Sequence, residues 1–300
     1  MTGLNNLGNT CFINSTLQCL FNINELNSFL DTYTSTGLLL TEYNDLRKLM
    51  EGGHTCITPH RFISVIQHVS KEKNMDLFTG FSQNDLPEFL VFMLNEFHTI
   101  ISHKINCVMP TPQNKIDEEC YKMFTTMYNS DYSIIIELFY GILVSIISTD
   151  KIVSIKPEPF FTLDLPIPNT EKVTLDDCIQ LYLKPESIQW FNEKDYIPST
   201  KSVLFWKLPS LLFIVFKRFD NANNKNNKMI DVPLNPKINH CEYSLLSICN
   251  HYGGVRGGHY TTTIKKDKWY EMDDDSMSEI HESKIITKNA YCLLFRKKIM

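Results

Sequence analysis

The chain has no excess of basic residues and no apolar run long enough to cross a membrane. Its 29 Lys and Arg are outnumbered by 34 Asp and Glu, which gives a net charge of −5, whereas a nucleic-acid-binding surface is basic. The most apolar stretch, residues 132–147, is interrupted by Glu137 and is shorter than the roughly 20 residues that a membrane span needs. We therefore expect neither nucleic acid nor a membrane as a partner.

Cysteine pairs at the short spacing of a zinc site are also missing. The nine cysteines are irregularly spaced, and the first residues are polar, without the apolar core of a secretory leader. An odd number of scattered cysteines favours free thiols in a reducing compartment. We expect a location in the cytoplasm or the nucleus (of a host cell if the source is a virus), and neither a cofactor nor a structural metal.

Apolar periodicity divides the chain into a helical part and a β-rich part. Residues from about 10 to 105 show helical spacing, residues 105–131 are polar and indicate a connection, and strands dominate from about 132. The β-branched stretch at 132–147 favours buried strands, and the Asn/Lys run at 221–228 predicts an exposed loop. The clearest strands are 203–206, 211–217, 260–264, 268–272 and 291–296. This pattern predicts one α+β domain over residues 1–300, with residues 211–216, apolar on both faces, as a central strand.

The clearest helix covers residues 86–97, where apolar side chains recur at i, i+3, i+4 and i+7. Asp85 is predicted as its N-cap, Pro87 lies in the first turn, and Glu88 is at the position that closes a capping box. A proline deeper inside a helix costs about 3 kcal/mol. The helix is therefore predicted to begin near Asp85.

Cys11 follows a segment of glycine and asparagine residues, which accept turn conformations. The sequence after Cys11 is apolar and helical, so the thiol is predicted at a helix N-terminus. A helix dipole stabilises the thiolate and lowers the thiol pKa. The alternative is that Cys11 is an ordinary buried cysteine.

His259 follows a glycine-rich segment and begins a predicted hairpin. A three-residue loop at 265–267 pairs Ile264 with Lys268 and places His259 directly opposite Asp273, at a Cβ separation of about 5 Å. A carboxylate there can orient an imidazole. A four-residue loop pairs His259 with Asp274 instead, and both acids also suit a solvated turn.

These segments resemble the two active-site boxes of the ubiquitin-specific proteases. The cysteine box is GLNNLGNTCFINSTLQ (residues 3–18), and the histidine box is GGHY (257–260) with WY (269–270) and DD (273–274). Two further segments are similar to family motifs: QND with EFL between residues 83 and 90, and LPSLL with KRF between 208 and 219. The order matches, and the resemblance extends from Gly3 to Phe295.

The resemblance implies a papain-like, hand-shaped fold, with a helical thumb at about 1–131 and β fingers and palm at about 132–300. It implies a thiol-dependent deubiquitinase that cleaves after the C-terminal glycine of ubiquitin. Cys11 is the nucleophile, His259 the general base and acid, and Asp273 orients His259. Asn6 matches the oxyanion-hole position. Asp274 matches a second acid that assists His259 or the oxyanion.

The resemblance also assigns a substrate channel. Asp85 matches a carboxylate that meets the basic tail of ubiquitin, and an arginine–carboxylate pair is strong and directional. Gln83 and Glu88 belong to the same motif. Tyr260 and Gly258 line the path of a diglycine tail. Ubiquitin and ubiquitinated proteins are the expected partners of a monomer.

The sequence departs from the family in its fingers. Many members carry two zinc-binding CxxC pairs, which are expected near 148–151 and 192–199, and neither stretch contains a cysteine. Two other functions remain open: a catalytically weak ubiquitin-binding module, and a different Cys-His-Asp enzyme, such as an acyltransferase or general thiol protease. A ubiquitin-like modifier is the alternative substrate.

Overall fold

Helices occupy the first half of the chain, and strands dominate the second. The computed structural model describes residues 1–34, 37–254 and 257–298. The helices are α1 (Cys11–Phe21), α2 (Asn24–Thr32), α3 (Leu38–Glu51), α4 (His60–Glu72), α5 (Leu86–Ile101), α6 (Lys115–Tyr128), α7 (Ile134–Phe139) and α8 (Leu175–Leu183). In the described ranges, none of them is long and apolar enough to pass through a bilayer.

The strands form a palm sheet, a finger sheet and one small parallel pair. They are β1 (Gly3–Leu4), β2 (Cys56–Ile57), β3 (Gly141–Ser148), β4 (Ile152–Phe160), β5 (Thr162–Leu165), β6 (Glu186–Phe191), β7 (Tyr196–Lys207), β8 (Leu211–Phe216), β9 (Lys237–Ile238), β10 (Cys241–Gly254), β11 (Gly257–Lys265), β12 (Trp269–Asp273), β13 (Ser276–Ile280) and β14 (Ala290–Lys297).

The palm sheet has the strand order β13-β12-β11-β10-β14-β8-β5, with β9 added to β10. All six residues of β8 are buried, which confirms the predicted central strand. One face of the sheet packs on the helices through Phe213 and Leu294. The other face forms a second core with α8 through Ile214 and Leu293. Neighbouring residues of one strand thus pack into the cores on opposite faces of the sheet, because side chains alternate across a sheet.

Helix α5 confirms the start predicted near Asp85. Leu86 is its first residue, and Pro87 lies in the first turn, where its missing N–H breaks no helical hydrogen bond. The predicted capping box with Glu88 is wrong, because Asp85 occupies the N-cap position without a side-chain capping bond. Its carboxylate is directed to two tyrosines instead.

The finger sheet has the order β4-β3-β7-β6, and α6 packs on it. The Trp206 indole donates to Asp117 at 2.8 Å, and the Tyr121 ring meets Trp206 edge-on. The β3–β4 and β6–β7 ends expected to carry the zinc pairs enclose a cavity lined by residues such as Thr149, Gln189 and Ser199. No cysteine lines this cavity, as the sequence requires.

Two segments differ from the sequence prediction. Residues 105–131, predicted as a connection, contain α6, whose N-cap Asn114 accepts from the Asp117 N–H at 2.9 Å. Six of the sixteen residues of the apolar stretch at 132–147, predicted as strands, form α7, which is capped by Ser133. Ile135 and Ile136 are buried, and α7 packs against α2 and α5, so tertiary packing overrides the β preference of these residues.

The register of the β11–β12 hairpin also differs from the prediction. Lys265 pairs with Trp269 and Ile264 with Tyr270, so the loop is 266–268 rather than 265–267. His259 is therefore not directly opposite Asp273, and lies beyond the paired part of the hairpin. The error of two residues leaves every side chain on its predicted face, because the strand period is two.

Candidate active site

The loop before α1 places Cys11 at the first residue of that helix. Gly8 and Asn9 have φ values of +98° and +55°, the left-handed conformations that their residue types predicted. Cys11 is 2% exposed, and α1 packs on β11 through a hydrogen bond from Thr262 to the Ser15 carbonyl at 2.9 Å. The helix therefore holds the thiol against the strand that carries His259.

The helix dipole predicted a lowered pKa for the Cys11 thiol, but this pKa is raised. Burial raises its pKa above the ordinary value, and the charge of Asp274 raises it further. The backbone N–H of Tyr260, next to His259, lowers the pKa in opposition to these effects. The effect of burial on the thiol pKa outweighs the opposite effect of the helix N-terminus. Ionisation of Cys11 therefore requires a base.

His259 and Asp273 form a hydrogen-bonded pair. Asp273 Oδ1 lies 2.5 Å from His259 Nε2, and both side chains are partly exposed. Asp273 is the last residue of β12, one strand from His259 on β11. Because Nε2 is held by the carboxylate, Nδ1 is the ring nitrogen that remains for proton transfer.

Asp274 connects the histidine box to the cysteine box. It lies in a left-handed turn with φ of +50°. Its two carboxylate oxygens accept from the side-chain amides of Asn6 and Asn14, each at 2.8 Å. One of its oxygens also lies within 4.8 Å of a ring nitrogen of His259. Asp274 thus links the histidine box to the cysteine box through close contacts, and is not a distant surface charge.

The Asn6 amide has a defined orientation. Its oxygen accepts from the backbone N–H groups of Gly8 at 2.9 Å and Thr10 at 3.1 Å. Its nitrogen therefore faces Asp274, to which it donates one of its two hydrogens. The second hydrogen is left for another acceptor.

Asp85 lies in a cleft between the helices and the palm sheet. Its oxygens accept from the hydroxyls of Tyr260 at 2.8 Å and Tyr291 at 3.1 Å. Burial raises the pKa of the Asp85 carboxyl above its usual range, while the two tyrosine hydrogen bonds lower it. Asp85 and the neighbouring Glu88 line a cavity of about 460 Å³ with both tyrosines. The cavity is acidic on its helical side and aromatic on its sheet side.

Gln83 bridges this cleft. Its amide nitrogen donates to the Gly258 carbonyl at 2.5 Å, and its oxygen accepts from the Gly258 N–H at 2.9 Å. Gln83 precedes α5, whereas Gly258 precedes His259 on β11. The two segments predicted to line the substrate path are therefore in direct contact.

Three residues of the site were not singled out from the sequence. Asn14 belongs to the cysteine box, but only the fold shows its bond to Asp274. Tyr291 was recognised as a strand residue without a site role. His251 is 4% exposed, and its ring lies 4.7 Å from that of Tyr260. Burial lowers the pKa of His251 to about 4, so it is neutral near pH 7. Their roles depend on contacts between different segments of the chain, which the sequence alone did not show.

Within residues 1–34, 37–254 and 257–298, one group of three metal-ligand side chains is close enough to hold an ion. It consists of His259, Asp273 and Asp274, with one ligand atom from each within 4.8 Å of the others. The hydrogen bonds of Asp273 to His259 and of Asp274 to Asn6 account for this proximity without a metal.

Comparison with known proteins gives one consistent family. Residues 2–295 match the family described as ubiquitin carboxyl-terminal hydrolase. The chain is 27% identical to ubiquitin carboxyl-terminal hydrolase Usp2 of Drosophila melanogaster over 99% of its own length and 35% of that protein's. It is 28% identical to ubiquitin carboxyl-terminal hydrolase 2 of Bos taurus over 98% of its length and 55% of that protein's. The chain thus spans about a third to a half of the length of these relatives.

Solved structures agree in fold. A chain of the SAGA DUB module Ubp8/Sgf11/Sus1/Sgf73 bound to monoubiquitin superposes with a TM-score of 0.78 at 21% identity, covering 100% of this chain and 70% of that one. The same module bound to ubiquitin aldehyde gives a TM-score of 0.76 at 22% identity, with the same coverage. This likeness bears out the predicted α+β, ubiquitin-specific-protease type of fold. With the family match over nearly its whole length, the chain belongs to the ubiquitin carboxyl-terminal hydrolase family.

Proposed function

We propose that the protein is a thiol-dependent deubiquitinase that hydrolyses the bond after the C-terminal glycine of ubiquitin. The observation that carries this proposal is the position of the His259–Asp273 pair. His259 directly precedes Tyr260, whose backbone lowers the pKa of the Cys11 thiol and whose side chain lines the acidic, aromatic cavity. A module that only binds has no need of this arrangement.

In the proposed reaction His259 Nδ1 takes the Cys11 proton as the thiol attacks the carbonyl carbon. A raised thiol pKa makes this base necessary, because little thiolate exists at neutral pH without it. Asp273 holds the imidazole in position and stabilises the imidazolium that forms. The second amide hydrogen of Asn6 stabilises the oxyanion. His259 then returns the proton to the leaving amine, and water releases ubiquitin from the thioester.

The channel favours a basic, extended tail with small terminal residues. Asp85 and Glu88 supply negative charge on the helical side, and arginine pairs strongly with such carboxylates. The Tyr260 ring, held by its bond to Asp85, narrows the path toward Cys11. We expect a tail that ends in two glycines to fit beside this ring, and a tail with branched terminal residues to be excluded.

Hydrolysis of ubiquitin 7-amino-4-methylcoumarin tests the proposal. The native protein is expected to release the dye, and Cys11→Ala to abolish release while binding to ubiquitin is retained. Cys107→Ala is the matched control, because it removes a partly buried thiol outside the site. Absence of turnover on ubiquitin and on every ubiquitin-like analogue contradicts an enzymatic function. Turnover restricted to a ubiquitin-like analogue contradicts the proposed substrate, ubiquitin, but agrees with the proposed thiol-dependent hydrolysis.

A further inference from the structure

Thr10 occupies the N-cap position of α1, but its side chain makes no capping hydrogen bond. A threonine at this position ordinarily accepts from the backbone N–H of the second or third helical residue, which in α1 are Phe12 and Ile13. The Thr10 hydroxyl is instead turned back to the preceding loop, where it accepts from the Leu7 N–H at 2.9 Å and donates to the Asn6 side-chain oxygen at 3.2 Å. Helix α1 therefore begins without the cap that its sequence offers.

The missing cap lies at the end of α1 that carries the nucleophile. Backbone hydrogen bonding from Phe12 lowers the pKa of the Cys11 thiol, in opposition to burial. A Thr10 hydroxyl in the capping position would compete for the N–H groups of this first turn. Because the hydroxyl is turned toward the loop, these N–H groups remain available to the thiol.

Asn6 needs an anchor, because its side chain is exposed and its loop consists of residues that favour turns. The loop continues through Gly8 and Asn9, which both have left-handed φ values. Thr10 is 2% exposed and is the one buried residue among residues 5–10. A buried hydroxyl at the start of a helix thus holds an exposed amide.

The hydrogen bonds around Asn6 permit one orientation of its amide. The amide oxygen accepts from the Thr10 hydroxyl at 3.2 Å and from the N–H groups of Gly8 and Thr10 at 2.9 and 3.1 Å. The Leu7 N–H donates to the hydroxyl oxygen, so the single hydroxyl hydrogen is left for Asn6. A rotated amide would place its NH₂ group against three donors and its oxygen against the Asp274 carboxylate. Thr10 thus helps to keep the amide nitrogen on the side of Asp274.

We propose that Thr10 is a positioning residue for the reaction, and that its hydroxyl fixes the Asn6 amide so that the second amide hydrogen meets the oxyanion as it forms. Thr10 acts through Asn6 and does not itself contact the reacting atoms. A donor that is aimed in advance stabilises the developing charge without reorganisation at the moment of reaction. The inference rests on the proposed function, because it concerns the oxyanion of the same reaction.

Steady-state kinetics on ubiquitin 7-amino-4-methylcoumarin tests this role. Thr10→Val replaces the hydroxyl with a methyl group and is expected to lower kcat about fivefold to tenfold at constant KM, the effect of one neutral hydrogen bond. Thr10→Ser keeps the hydroxyl and is expected to recover most of the lost kcat. The matched control is Thr16→Val, which removes another buried hydroxyl of α1, bonded to the Phe12 carbonyl at 2.7 Å. Unchanged kcat in Thr10→Val, an equal fall in Thr16→Val, or no recovery in Thr10→Ser overturns the positioning role.

A double-mutant cycle with Asn6→Ala shows whether Thr10 acts through Asn6. Once the amide is absent, Thr10→Val is expected to cause no further loss of kcat. A loss by the same factor in both backgrounds overturns the inference, because Thr10 would then act on another group. If Thr10→Val does not fold, Thr10→Ala removes the same hydroxyl without adding a methyl group, and the same cycle applies.

Ubiquitin aldehyde gives a readout that a purely structural role would not move. Addition of the Cys11 thiol to the aldehyde places an oxygen at the oxyanion position, whereas free ubiquitin places no such oxygen there. Thr10→Val is expected to weaken inhibition by the aldehyde about fivefold to tenfold and to leave the affinity for ubiquitin unchanged. An equal loss for both ligands overturns the inference. Absence of turnover by the native protein contradicts the proposed function, whereas unchanged values for Thr10→Val beside an active native protein contradict this inference alone.

Discussion

Replacement of Asp85 separates its binding role from its structural role. The carboxylate accepts from Tyr260 at 2.8 Å and from Tyr291 at 3.1 Å, and both tyrosines are only 7% exposed. Asp85→Ala leaves two buried hydroxyls without this acceptor. Each unsatisfied buried group costs about 1–3 kcal/mol. The loss is partly offset, because a desolvated carboxylate is removed as well.

We expect Asp85→Ala to lower the free energy of unfolding by about 2–4 kcal/mol. Asp85→Asn keeps one carbonyl acceptor of the same shape, and a tyrosine hydroxyl can rotate to accept from the new amide. Its cost is expected to be about 1 kcal/mol. Asp85→Asn therefore removes the charge offered to a basic tail while leaving the cleft intact.

The pH dependence follows from the raised pKa of Asp85. The folded state holds the proton more tightly than the unfolded chain, so this contribution to stability is fully present below the unfolded pKa of about 3.9. It is lost as the pH rises through the higher folded value. The stability advantage of the native protein over Asp85→Asn is thus expected to shrink as the pH rises above the unfolded pKa of about 3.9.

Urea unfolding of the three proteins measures these differences, and steady-state kinetics on ubiquitin 7-amino-4-methylcoumarin measures the binding role. We expect Asp85→Asn to raise KM with little change in kcat. Equal stability of Asp85→Ala and the native protein would refute the structural part of this reasoning. A kcat defect at unchanged KM in Asp85→Asn would refute the tail contact.

Three further predictions concern the reaction and metal independence. Asp273→Asn is expected to lower kcat by about 10²-fold through loss of His259 orientation, and unchanged kcat would contradict that role. Asn6→Ala is expected to lower kcat by about 10²–10³-fold at constant KM, whereas a rise in KM alone would indicate a binding contact. EDTA is expected to leave the Tm unchanged, because the fingers contain no cysteine pairs, and a fall of several degrees would reveal a structural metal.

The hydrogen bond between His259 and Asp273 was predictable because it depends on a short-range hairpin and a period of two. The loop was misplaced by one residue and the strand register by two, yet both side chains stayed on their predicted face. Strand β8 was predicted for a similar reason, since its six consecutive apolar residues indicate burial on both faces. Patterns local to the chain therefore sufficed for these features.

Features set by distant contacts were missed or predicted wrongly. Ile134–Phe139 is helical because α2 and α5 bury it, although its residues favour strands. The Cys11 pKa is raised by burial under the palm, which a dipole argument from the neighbouring sequence does not include. Helix α6 is the exception, because it was missed although the sequence signals that predict it are local. Apolar residues at Ile116, Cys120 and Phe124 follow the Asn114 cap at helical spacing.

The most direct test of the central claim is the reaction of the native protein with ubiquitin propargylamide. The account predicts a single adduct of one ubiquitin, mapped by mass spectrometry to Cys11, and none in Cys11→Ala. An adduct on any of the other eight cysteines, or no adduct with folded native protein, would contradict it.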